Sequence, residues 1–183
     1  MTKELKPHDR TRRVMVGDVP VGGGAPVAVQ SMLNAPADDV AANLAQIEAL
    51  AEAGCEIVRM AIPRRDCLDA FEAVCAASPL PVVADIHFDA RIAIEAAARG
   101  AAKLRINPGN IGGEAHVRAV ADCCRAHHIP IRIGVNGGSL EKTLLEKYGH
   151  PTPEALVESA FSHIRMLEDV GFGDICEIGR AHV

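Results

Sequence analysis

Short apolar runs rich in β-branched residues alternate along this chain with longer segments whose apolar positions recur every three or four residues. The apolar runs fall at Pro26–Ser31, Glu56–Ala61, Pro81–Ile86, Ala102–Ile106 and Pro130–Val135, and another begins near Asp174. The helical segments are Ala37–Ala53, Asp66–Ala76, Ala90–Arg99, Glu114–His127 and Thr152–Val170. In the first of these, Val40, Leu44, Ile47, Leu50 and Ala51 form one buried stripe. Gly54, Gly100 and Gly171 stand where a helix hands over to the next strand, as helix-ending glycines do. Ahead of these units, Arg13–Val16 and Val19–Val21 flank a Gly17-Asp18 turn, which is a hairpin signal. The pattern predicts repeated βαβ units around a parallel sheet, preceded by a short β-hairpin.

A doubly wound sheet and a closed barrel both satisfy that pattern. A doubly wound nucleotide fold carries a Gly-x-Gly-x-x-Gly turn after its first strand. Here the run Gly22–Gly24 precedes that strand and reads as a flexible connection. Strand parity decides between the two, because successive side chains on a strand face opposite ways. Val58 and Met60 oppose Ile57, Arg59 and Ala61, while Val82, Ala84 and Ile86 oppose Val83, Asp85 and His87. Leu104 and Ile106 oppose Lys103, Arg105 and Asn107; Ile131, Ile133 and Val135 oppose Arg132, Gly134 and Asn136. The apolar parity suits packing under helices. The other parity turns polar towards the strands' C-terminal ends, where a barrel assembles its site from several strands. Such a barrel takes about 250 residues, and this chain has 183. The expected fold is therefore α/β: an incomplete (βα)8 TIM-type barrel of about five to six βα units behind an N-terminal hairpin.

A hydrophobic content of 49% is enough for one core, and a net charge of −5 speaks against a nucleic-acid partner. Anion binding must then come from locally placed cations. Buried arginines are costly without partners. If Asp85 pairs with one of Arg59, Arg105 and Arg132, two remain unmatched, so a phosphate-bearing ligand is expected in their planar forks. The turn Asn107–Gly112 opens onto a helix N-terminus whose free N–H groups suit an anion, and Gln30-Ser31-Met32 adds amide and hydroxyl donors. Asp85 and His87 have the spacing of a metal pair, but three nearby arginines repel a cation. Hydrogen-bonding or acid/base roles are preferred, and no metal site or catalytic group is assigned. His116, His127 and His128 read as solvated. The six cysteines, Cys55, Cys67, Cys75, Cys123, Cys124 and Cys176, lack Cys-x-x-Cys spacing and read as reduced thiols of a cytoplasmic chain. No apolar run is long enough to span a bilayer, and Met1–Arg13 lacks an apolar signal core, so no membrane association or secretion is expected.

Seven motifs run in order: Val29–Met32, Ile57–Arg59, Ala84–Asp89, Leu104–Gly112, Ile131–Glu141, Lys147–Gly149 and Pro151–Leu156. Together they resemble the 4-hydroxy-3-methylbut-2-enyl diphosphate synthase family over about Arg12 to Cys176. The resemblance implies an oxidoreductase of isoprenoid biosynthesis by the methylerythritol phosphate pathway. It opens 2-C-methyl-D-erythritol 2,4-cyclodiphosphate reductively to 4-hydroxy-3-methylbut-2-enyl diphosphate. Electrons come from flavodoxin or ferredoxin through a [4Fe-4S] cluster on a C-terminal domain, and a homodimer sets one subunit's cluster over the other's barrel. Carried onto this chain, Arg59, Arg105 and Arg132 hold the diphosphate, with Asp85, His87, Asn107 and Asn136 as the supporting polar shell.

The chain departs from the family in carrying no cluster domain and no cluster ligand. Residues 1–176 are expected to be a truncated substrate-binding barrel, inactive alone, and 177–183 a non-native tail. The alternatives are another phosphate-binding barrel of the dihydropteroate-synthase type, for which no pterin-binding signature is present, and an inactive open-edged fragment.

Overall fold

The expected hairpin forms first: β1 (Val14–Val16) pairs antiparallel with β2 (Val19–Val21) around Gly17 and Asp18. The computed structural model describes residues 10–107 and 110–177. Pro108 and Gly109 of the expected anion-binding turn, and residues 178–183 of the expected tail, lie outside them.

Six parallel strands follow: β3 (Gln30–Met32), β4 (Ile57–Ala61), β5 (Val82–Asp85), β6 (Lys103–Ile106), β7 (Ile131–Ile133) and β8 (Ile175–Cys176). Each pairs with the next in sequence. A doubly wound sheet reverses direction at a switch point; this one winds one way throughout, as a barrel does. Among the described residues it stays open between β3 and β8. The helices α1 (Val40–Glu52), α2 (Leu68–Ala77), α3 (Ala90–Ala98) and α4 (Glu114–Ala126) make the crossovers. The last crossover contains a short α5 (Lys142–Tyr148) and a long α6 (Pro153–Asp169).

The apolar parity of the strands packs under these helices. Val58, Met60, Val82, Ala84, Leu104, Ile106, Ile131 and Ile133 share one core with Ile47, Phe71, Val74, Ala93, Val117, Val120 and Leu167. A smaller cluster joins Val16 of the hairpin to Ile57 and Val83, which lie on the other parity near the strands' N-terminal ends. The hairpin therefore plugs the end of the sheet opposite the polar strand ends.

Three features depart from the expected pattern. The run Pro26–Ser31 is strand only from Gln30, and that strand continues to Met32. The run Pro130–Val135 forms a strand only to Ile133, although Gly134 N–H still reaches Ile106 O at 2.8 Å. The helix α5 has no long apolar stripe and is held by polar contacts to α6. Within α1 the buried stripe also contains Asn43, whose Nδ2 donates to Pro36 O and Asp39 O at 2.8 Å each. That satisfies the buried NH2 group and fixes the start of the helix, while Asn43 Oδ1 stays buried without a hydrogen-bond partner.

Candidate functional site

Strand register sets the site's geometry. Ala61, Asp85, Arg105, Arg132 and Cys176 occupy one row across β4 to β8. The row below holds Met32, Arg59, Val83 and Lys103. All these side chains are on the parity that faces away from the helices, so four cations from three strands, Arg59 of β4, Lys103 and Arg105 of β6 and Arg132 of β7, converge on one side of the sheet.

Asp85, only 2% exposed, is the counter-ion shared by two of them. Its Oδ1 accepts from Arg105 Nη1 at 3.1 Å, and its Oδ2 lies 3.4 Å from Arg59 Nε. The second contact is an ion pair without hydrogen-bond alignment, since Arg59 Nε has no hydrogen-bond partner. His87 stands against both charges, with Nε2 at 3.6 Å from Asp85 Oδ2 and Nδ1 at 3.4 Å from Arg105 Nη1. Nδ1 facing a guanidinium acts as an acceptor, which leaves the ring proton on Nε2 towards the carboxylate. The expectation that Asp85 would neutralise one arginine and leave two is thus corrected: one carboxylate between strands serves two of them.

Arg132 makes no ion pair among the described residues, and its Nε is buried without a hydrogen-bond partner. Burial, and next the charge of Arg59, pull its guanidinium below the ordinary pKa. Lys103 is more extreme. It is 1% exposed, and its Nζ donates to Gln30 Oε1 at 3.3 Å. Burial lowers its pKa, Cys176 opposes this, and the charges of Arg132 and Arg59 add to the lowering. Lys103 shares the parity of Arg105, and that was the available signal for a residue absent from the expected set.

The C-terminal strand ends open into a cleft of about 380 Å³ lined by His87, Arg105, Asn107, Asn110, Asn136 and Ser139, among others. Asn107 Nδ2 donates to Ser139 Oγ at 3.2 Å, and Ser139 Oγ donates to Asn136 Oδ1 at 3.1 Å. Of the expected set, His87, Arg105, Asn107 and Asn136 line the cleft. Arg59, Asp85 and Arg132 adjoin it through register and ion pairs without lining it. Gln30 and Met32 face the cations, Met32 Sδ accepting from Arg59 Nη2 at 2.8 Å, whereas Ser31 shares the row of Val58 and faces the helices. Ser139 was missed, and the Gly137-Gly138-Ser139 turn after Asn136 was its signal; Asn110 belongs to the Asn107–Gly112 turn expected to face an anion, and it lines the cleft. A Cβ at Gly134 would meet the Arg105 guanidinium and displace it from its place beside Asp85.

Behind the cleft, Glu141 meets α6. Ser159 Oγ donates to Glu141 Oε1 and Oε2 at 3.0 and 2.9 Å, and His163 Nε2 donates to Oε1 at 2.8 Å. His163 is 2% exposed with Nδ1 unpartnered. A neutral ring leaves only a bare lone pair there, whereas a charged ring would leave a buried N–H unsatisfied. Burial pulls the His163 pKa below 6.5, outweighing Glu141. Below that value the unfolded chain takes up a proton that the folded chain resists, so stability declines as pH falls through 6.5. Urea midpoints taken at about pH 7.5 and about pH 5.5 should differ in that sense, and His163→Gln should reduce the difference. An equal difference in the variant would assign the slope elsewhere.

A larger groove of about 660 Å³ lies along α5 and α6, lined by Lys147, Glu158, Phe161, Arg165, Met166 and Asp169 among others. It contains none of the strand-end cations, and the chemistry favours the smaller cleft. His116, His127 and His128 are exposed, as expected. Among the described residues, no three His, Cys, Asp or Glu side chains are grouped so as to hold a metal ion. The cysteines are free and scattered, and burial pushes the Cys75 thiol up to about 12 and that of Cys124 higher still. Among the described residues, no helix is long and apolar enough to cross a membrane.

The family model described as the GcpE TIM-barrel domain matches residues 11–179. The 4-hydroxy-3-methylbut-2-en-1-yl diphosphate synthase (flavodoxin) of Idiomarina loihiensis is 58% identical over 164 residues, covering 90% of this chain and 44% of the relative. That of Yersinia enterocolitica is 55% identical over 163 residues, covering 89% and 44%. The chain thus spans less than half the length of these relatives. Among solved structures, the 7,8-dihydropteroate synthase of Vibrio fischeri superposes with a TM-score of 0.62 at 14% identity, covering 90% of this chain and 65% of that one. At that identity the likeness is one of fold alone.

Proposed function

This chain belongs to the GcpE TIM-barrel domain family, and from that membership we propose that it is the substrate-binding barrel of an oxidoreductase that opens 2-C-methyl-D-erythritol 2,4-cyclodiphosphate to 4-hydroxy-3-methylbut-2-enyl diphosphate. The observation that carries the reading is the imbalance of charge at the strand ends. Arg59, Lys103, Arg105 and Arg132 outnumber the carboxylates near them, Asp85, which pairs with Arg59 and Arg105, and Glu177, whose charge acts on Arg132 and Arg105, beside a cleft of about 380 Å³. A cyclic diphosphate supplies the missing negative charge, and its oxygens suit planar guanidinium forks.

In this reading Asp85 holds Arg59 and Arg105 in place before substrate arrives, so little reorganisation is needed on binding. Arg132, which makes no ion pair among the described residues, has a buried Nε donor left for a phosphoryl oxygen. The Asn107–Ser139–Asn136 chain offers neutral hydrogen-bonding groups at the mouth, and His87 supports Arg105 from the side. Reduction needs a [4Fe-4S] cluster, which this chain's cysteines are not placed to hold. The barrel's own work is therefore to bind and orient the diphosphate. In the whole protein a flavodoxin or ferredoxin would supply the electrons, a homodimer would bring the cluster to the barrel, and the cytoplasm would be the compartment. Residues 1–176 are the proposed binding unit.

Titration calorimetry of the 183-residue chain with the cyclodiphosphate tests the reading. Arg132→Ala is expected to weaken binding about tenfold or more, because a charge-assisted hydrogen bond is lost. Unchanged affinity would remove Arg132 from the site, and no binding by the wild-type chain would overturn the reading.

A further inference from the structure

Glu141 occupies the N-cap position of α5, yet its side chain does not cap that helix. It turns instead to α6, where Ser159 and His163 sit one turn apart on the same face, each only 2% exposed. Both donate to the carboxylate, at 2.8 to 3.0 Å. Simple packing of α5 on α6 is achieved more cheaply by an apolar pair, since buried polar groups contribute little net stability. The contact does something an apolar pair cannot do: it fixes one residue in both distance and direction.

That residue stands next to the binding loop. Leu140, 8% exposed, anchors the chain just before it, and Ser139 just before that bridges Asn107 after β6 to Asn136 after β7. A continuous path of hydrogen bonds and short backbone therefore runs from α6 to the mouth of the cleft. A second pin between the two helices, Lys147 and Tyr148 on Glu158 at 2.7 and 2.6 Å, lies at the far end of α5 and touches no cleft residue.

We propose that Glu141, clamped by Ser159 and His163, is a positioning residue that sets the Ser139–Asn136 loop against the bound diphosphate. The role rests on the cyclodiphosphate reading above. Losing the clamp frees the loop, so binding must then order it and affinity falls.

Two readouts on the 183-residue chain test this: amide exchange over residues 137–141 and affinity for the cyclodiphosphate by calorimetry. Glu141→Ala is expected to raise exchange and weaken binding, each by about tenfold. Glu141→Gln keeps an acceptor oxygen for His163 and should recover most of both. Glu158→Ala removes only the far pin and should leave both readouts at wild-type values. Arg132→Ala should lose binding with loop exchange unchanged. If Glu141→Ala melts earlier yet binds like wild type, the residue is merely structural and the proposal falls. If Glu158→Ala weakens binding equally, the effect belongs to α5 as a whole and the proposal falls too. If the wild-type chain binds nothing, the function reading fails and takes this role with it, an outcome distinct from both.

Discussion

Asp85→Ala is expected to cost the chain about 3–5 kcal/mol of folding stability, the range for removing one partner of a buried ion pair. The carboxylate is 2% exposed and is the one acidic group paired with Arg59 and Arg105 among the described residues. Their side chains are themselves only 22% and 12% exposed, so water replaces the lost partner poorly. Removing it leaves four cations facing one another across adjacent strands. Urea denaturation gives the direct measurement. Inorganic diphosphate adds a second arm: it should stabilise Asp85→Ala more than wild type, because the ligand then replaces the counter-ion as well as filling the cleft. A cost below about 1 kcal/mol, the level of an exposed pair, would mean that solvent already screens these arginines through the open side of the sheet.

The same carboxylate shows where sequence reasoning reaches its limit. Parity along each strand placed Arg59, Asp85, Arg105 and Arg132 on the side away from the helices, because alternation is a property of one strand at a time. How many arginines Asp85 serves depends on register between strands, which no single strand encodes. Ala61 opposite Asp85 and Asp85 opposite Arg105 put one carboxylate between the cations of β4 and β6. The hairpin, the helices and the order of strands were legible because glycine stops and apolar periods are local signals. The helix α5 was not, since Lys147, Tyr148 and Glu141 hold it through partners on α6 that lie more than a helical turn away in sequence. His163 was hidden for a related reason. A lone histidine on a helix gives no sign of burial until its facing carboxylate is known.

Lys103 tests whether the charge imbalance serves binding or is incidental to the fold. A lysine at 1% exposure, held by one amide oxygen 3.3 Å away and flanked by Arg59 and Arg132, is a destabilising element. Methionine has nearly the same length and no charge to desolvate. Lys103→Met is therefore expected to raise folding stability, by about 1–4 kcal/mol on the precedent of buried charges replaced by apolar residues. Affinity for the cyclodiphosphate should move the opposite way, because one of four cations beneath the anion is gone and its field acts in a poorly screened interior. Thermal unfolding and calorimetry on one preparation separate the two effects. A variant that is more stable and binds more weakly places Lys103 among residues kept for binding at a cost in stability. A variant that is less stable would mean that the Lys103–Gln30 contact helps to hold β3 onto the sheet. One that binds as tightly as wild type would confine the diphosphate to the arginines of the upper row and Arg59.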